Sequence, residues 1–249
     1  FDVYPYQPGS TMLSYLVPYD IWEDGPLAAV ARLRDPLIRT KFADGLAAYR
    51  LDLDNIRIAW VHSKENTCFQ GKTLAEYIDA MGLPAEEALF NLLVEERMAV
   101  LLVFDEGDDR LINPILQHDK YMMGSDGIFF EDGPIHPRQY GSVGRLLGPL
   151  VRDQKLFSLE EAVYKLSGRA AERFKLKDRS VIREGNFADV VVFDAETVCD
   201  RATFDEPHQT TAGLEAVVVN GTTIIRDGTP VESLQEPLPG RYLKYGRDD

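Results

Sequence analysis

The sequence predicts an α/β protein. Three observations carry that reading: a strand–helix–strand rhythm between Ala99 and Gly124, a change to β-branched runs after Ile182, and an ordinary globular composition. The rhythm consists of a buried-strand pattern at Ala99 to Phe104, a polar helix near Asp109 to Gln117 and a short strand at Tyr121 to Gly124. The later runs are Ala188 to Phe193 and Ala216 to Asn220, and Asn220-Gly221 before Thr222 to Arg226 is a hairpin signal. With 249 residues, 45% of them hydrophobic and 10% aromatic, the chain can bury one large or two modest cores, which excludes disorder of the whole.

The remaining elements follow in chain order. Phe1 to Tyr6 alternates aromatic and polar residues ahead of Gly9, the pattern of a strand running into a loop. Pro26 sits behind Asp20, Glu23 and Asp24 as a first-turn proline, and Leu27, Val30, Ala31 and Leu33 continue at helical spacing until Pro36 restarts the helix. Ile56 to Val61 reads as a strand. Thr73 to Met81 and Ala85 to Glu96 read as helices parted by Gly82 and Pro84. Beyond a loop rich in Gly and Pro, helices are expected at Gly144 to Asp153, Ser158 to Leu166 and Ala170 to Phe174, with Ser158 and Glu161 forming a capping box.

Charge narrows the partners. Lys and Arg number 27 against 41 Asp and Glu, a net charge of −14, so phosphate backbones and anionic lipid are repelled and neither nucleic acid nor a membrane is an expected partner. Cys68 and Cys199 are far apart and form no metal or disulfide pattern, which fits a reducing cytoplasm. No apolar run is long enough to span a bilayer and Phe1 to Tyr6 has no basic leader. An opening at Phe1, inside an apparent strand, suggests a fragment or a processed product.

Single residues give weak signals. His62, His118, His136 and His208 are too scattered for a metal motif. Asp126 follows the strand ending at Gly124, the position where barrel enzymes keep catalytic side chains, although taken alone Ser125-Asp126-Gly127 reads first as an Asp-Gly turn.

Read together, the segments YPYQPGSTML, MMGSDG, IHPRQYGS, RLLGPLVRD, FSLEEAVYKLSGRAAERF, IREGNFADVVVFD, DEPHQ and VVVNG say more. In that order they resemble the carboxy-terminal half of the D-aminoacylase family, within the amidohydrolase superfamily. The resemblance implies the last part of a (β/α)8 metal-dependent hydrolase barrel with an inserted α+β lid and half of a small β-sandwich domain. Residues 1–6 and 99–177 would belong to the barrel, 7–98 to the insertion over its mouth, and 178–249 to the β domain. The implied activity is zinc-dependent deacylation of N-acyl-D-amino acids, a cut at a linear amide C–N bond.

By the same resemblance, Asp126 carries the proton from the attacking water to the leaving nitrogen, while Tyr4, Ser10 and Arg138 hold the substrate's α-carboxylate. Each has a plainer role open to it: Tyr4 capping a strand, Ser10 bonding its own turn, Arg138 pairing with a surface acid. His136 and Tyr140 flank the same loop and read as packing or supporting residues, and His118 and His208 as structural. The family's metal-binding histidines have no counterpart here, and Asp126 is at most a weak ligand. Zinc is therefore expected in the intact enzyme and not on this chain alone, which is expected to be inactive and to need its amino-terminal half or self-association. A cyclic-amide amidohydrolase of the hydantoinase or dihydroorotase type, or a non-catalytic scaffold, are the alternatives. The loop from Thr11 to Ala31 has many apolar residues and no Lys or Arg, from which a hydrophobic D-residue is the expected substrate side chain.

Overall fold

The computed structural model describes residues 1–105, 107–129 and 133–244. Residue 106 and residues 130–132 of the expected barrel portion, and residues 245–249 of the expected β domain, lie outside the described residues. In chain order the elements are β1 (Asp2–Val3), β2 (Ser10–Met12), α1 (Pro26–Arg32), α2 (Pro36–Tyr49), β3 (Ile56–Val61), α3 (Leu74–Met81), α4 (Ala85–Glu95) and β4 (Val100–Phe104). There follow α5 (Asn113–Leu116), β5 (Met122–Met123), α6 (Arg138–Leu147), α7 (Leu159–Val163), α8 (Arg169–Phe174), β6 (Val190–Phe193), β7 (Leu214–Val219), β8 (Thr222–Arg226) and β9 (Thr229–Pro230). They divide between two compact units: the first holds residues 1–6, 109–127 and 137–249, the second 7–108 and 128–136.

In the second unit a three-stranded antiparallel sheet has the order β2-β4-β3, so Val100–Phe104 is its middle strand. That is a departure from the expected grouping of residues 99–108 with the barrel. A run buried on both faces looks the same in a parallel wall and in the centre of a small antiparallel sheet. Two of its helices, α2 and α3, begin where a side chain satisfies one of their first N–H groups. The Asp35 carboxylate accepts from Leu37 N, and at α3 Thr73 and Glu76 form a reciprocal capping box. Gly82, at φ 65°, ends α3 in the left-handed conformation that only glycine adopts without strain.

The core of this unit gathers Ile56, Ile58, Phe42, Leu89, Phe90, Leu102 and, from the loop after β2, Leu13, Leu16, Val17 and Ile21. Those four loop residues are buried inside the unit. Burial withdraws these four from any contact with a substrate side chain, while Tyr19 in the same segment is 95% exposed: sequence alone does not separate a residue that lines a groove from one that packs a core. The acids beside them are also engaged, Asp24 with Arg32 and Asp20 with Lys41.

In the first unit β1 and β5 pair in parallel, with Asp2 opposite Met122 and Val3 opposite Met123. Beneath this pair Tyr121, Leu146, Leu147, Leu150, Ala162 and Val198 form the core. A π-helical turn, Pro149–Asp153, follows α6, and another, Tyr164–Gly168, joins α7 to α8. The carboxy-terminal residues form an antiparallel sheet of order β6-β7-β8-β9.

Helix α6 starts at Arg138, six residues earlier than the sequence suggests, because Gly141 and Gly144 disguise it. Each glycine lowers helix propensity by about 1 kcal/mol relative to Ala. Here they serve close approach. A Cβ on Gly141 would stand 2.3 Å from the Tyr6 hydroxyl, and one on Gly144 2.7 Å from the backbone carbonyl of Cys199. Among the described residues, no helix is long and apolar enough to cross a membrane.

Candidate functional site

Three of the four expected site residues meet in the first unit. Asp126 sits at φ 45°, a left-handed backbone that costs a non-glycine residue roughly 1–2 kcal/mol and that Asp tolerates better than most. The turn behind β5 thus presents its carboxylate outward, with the side chain 68% exposed. Opposite stands Arg138, the first residue of α6 and only 2% exposed. Its Nη2 lies 2.8 Å from Asp126 Oδ2, and its Nε donates to the Asp126 carbonyl oxygen at 2.9 Å. The guanidinium carbon is 4.4 Å from the centre of the Tyr4 ring, within cation–π range. A buried arginine is costly without partners, and these contacts supply them.

Ser10 belongs to the second unit, where its hydroxyl donates to the carbonyl oxygen of Leu102 at 2.7 Å. To serve a ligand as donor it must give up that bond. His136 is also in the second unit, buried, with Nε2 2.9 Å from the Pro8 carbonyl oxygen; a carbonyl only accepts, so Nε2 carries the proton. Tyr140 and His208 contribute a ring pair in the first unit, their centroids 5.6 Å apart, and His118 Nδ1 accepts from Lys120 N.

A neighbouring cluster escaped the sequence reading. The Tyr6 hydroxyl donates to Asp200 Oδ2 at 3.3 Å, and Arg145 Nη1 is 3.7 Å from the same oxygen. Arg145 also pairs with Asp109 and lies 4.4 Å above the Tyr6 ring. Burial pushes the Asp200 carboxyl up despite the pull of Arg145, and burial together with the Asp200 charge pushes the Tyr6 phenol up. The available signal was spacing: Arg145 is seven residues beyond Arg138, which on a helix of about 3.6 residues per turn is the same face.

Among the described residues, no three His, Cys, Asp or Glu side chains are grouped so as to hold a metal ion. Catalytic zinc takes about three protein ligands. The donor set of the described residues does not fit a zinc site.

The amidohydrolase family model matches residues 65–225, which is more than half of the sequence. The chain belongs to the amidohydrolase family. Within that family, an N-acyl-D-glutamate deacylase of Alcaligenes xylosoxydans xylosoxydans is 40% identical over 192 residues, 77% of this chain and 37% of the relative. A D-aminoacylase of the same organism is 44% identical over 126 residues, 51% of this chain and 25% of its own length. Among solved amidohydrolase structures, an N-acyl-D-glutamate deacylase from Bordetella bronchiseptica, complexed with zinc and a phosphonate mimic of the tetrahedral intermediate, matches with a TM-score of 0.66 at 31% identity. That match covers 92% of this chain and 41% of the other. The chain thus has the mixed helix and strand fold of these relatives and spans well under half of their length.

Proposed function

We propose that this chain is the carboxy-terminal part of a hydrolase that removes the acyl group from N-acyl-D-amino acids. The observation that carries the reading is the buried Arg138 held between Tyr4 and Asp126, in a chain whose relatives are D-amino-acid deacylases. A planar guanidinium suits a carboxylate, so Arg138 would grip the substrate's α-carboxylate, with the Tyr4 ring fixing its plane. Asp126, exposed at the turn after β5, would take a proton from the attacking water and deliver it to the leaving nitrogen. Zinc, present in the solved relative, would polarise the scissile carbonyl when bound. The described residues give it no ligand set, so the remainder of the protein would hold it.

The parallel β1–β5 pair supports assigning this region to a barrel wall, and with it residues 7–98 would be an insertion and residues from 178 onward a small β domain. The sheet β6–β9 leaves Val191 52% and Val192 43% exposed, which supports a domain completed by another segment or by a second copy. A cytoplasmic location goes with this reading.

The test is release of free D-amino acid from N-acetyl-D-leucine and N-acetyl-D-glutamate, with the L isomers as controls, by the chain extended to the length of its relatives. Hydrolysis of the D isomers is expected. Turnover of hydantoins or dihydroorotate with no activity on N-acyl-D-amino acids would overturn it. Metal analysis of the 249-residue chain after dialysis against a chelator is expected to find less than one equivalent of zinc; one full equivalent would reveal a ligand set on this chain.

A further inference from the structure

Two ring–guanidinium stacks fasten α6 to the segment after β1. Tyr4 and Tyr6 flank Pro5, and each ring carries an arginine of α6 at 4.4 Å, Arg138 on the first and Arg145 on the second. The first stack faces the proposed site. The second is buried and braced: Tyr6 is 3% exposed, its hydroxyl donates to Asp200, and Arg145 meets both Asp200 and Asp109. Gly141 leaves room for the Tyr6 hydroxyl against the helix. Pro5 locks its own φ near −65°, so the tether between the two rings is stiff and an anchor at Tyr6 is felt at Tyr4.

We infer that Tyr6, Arg145 and Asp200 are positioning residues that set the Tyr4 ring over Arg138 and so aim the guanidinium at its ligand. An arginine has many rotamers, and a ring held in place removes part of that freedom before any ligand arrives. The inference rests on the proposed role of Arg138 as carboxylate holder.

The experiment uses the 249-residue chain, labelled with ¹⁵N, and follows the Nε–H resonance of Arg138, assigned by its loss in Arg138→Lys. Tyr6→Phe keeps the ring and removes the bond to Asp200; Arg145→Lys keeps the charge and loses the planar stack. Both are expected to move the Arg138 resonance toward its position in Tyr4→Leu. They should also weaken binding of N-acetyl-D-leucine by about three- to tenfold, the scale of one cation–π contact. Combining Arg145→Lys with Tyr4→Leu should add no further loss. An Arg138 resonance and an affinity unchanged in both variants, with only a lower Tm, would overturn the inference and leave the cluster a structural brace. If Arg138→Lys itself binds the probe normally, the carboxylate role fails, while the resonance shift still decides the positioning.

Discussion

Arg138 holds Asp126 by two contacts at once, Nη2 to the carboxylate at 2.8 Å and Nε to the main-chain carbonyl at 2.9 Å. A ligand carboxylate arriving at Arg138 therefore competes with the side chain proposed to move the proton. Asp126→Asn removes the charge of that competitor while keeping its shape. In the intact enzyme it should bind N-acetyl-D-leucine at least as tightly as the parent and lose roughly 10²–10⁴-fold in kcat, the usual worth of a positioned acid–base group. Unaltered kcat would take Asp126 out of the mechanism.

Arg138→Ala should act mainly through KM for substrates with a free α-carboxylate. The loss should be about 2–4 kcal/mol, the range for leaving one partner of a buried ionic contact alone. Substrates amidated at that carboxyl are the control. If they suffer equally, Arg138 has another task.

Acid should unfasten the second unit at Glu96. Burial pushes this carboxyl up, but hydrogen bonds from the Ser63 hydroxyl, the Asn66 amide and Ser63 N outweigh that and hold it below the usual glutamate range. A carboxyl depressed in the folded state stabilises when ionised. Its contribution is complete above the unfolded value of about 4.3 and fades as pH falls through the lower folded value. Thermal melts at stepped pH should show a steeper acid limb in the parent than in Glu96→Gln. Superimposable limbs would mean that Glu96 is not the group responsible.

Replacing a helical glycine by alanine ordinarily gains about 1 kcal/mol. At Gly144 the sign should reverse, since the new Cβ would meet the carbonyl carbon and oxygen of Cys199 at 2.7 Å, and backbone cannot swing aside. A loss of about 1–3 kcal/mol is the expected scale for such overpacking, read from denaturant midpoints. A stabilised Gly144→Ala would show that α6 packs less closely than described.

What the sequence disclosed depended on how local the cause was. Ile56–Val61 was legible because it is a short, mostly apolar segment with β-branched Ile56, Ile58 and Val61, and α3 and α4 because Gly82 and Pro84 punctuate them. Asp126 and Arg138 were singled out from the order of motifs; their contact was not legible, since eleven residues of Gly- and Pro-rich chain lie between them. The Tyr6–Arg145–Asp200 cluster joins residues up to 194 positions apart and has no local pattern. Leu13, Leu16, Val17 and Ile21 misled in the opposite direction. Their composition was clear, and only packing showed that they face inward.

Val191 and Val192 bear on how the chain behaves in a tube. A net charge of −14 keeps copies apart in dilute buffer, yet at 0.15 M salt that repulsion reaches only about 8 Å. The valines on β6 stay as apolar as before. Clustering of this chain should therefore rise with ionic strength, and a high-salt wash, the routine remedy for sticky proteins, is the step most apt to precipitate it.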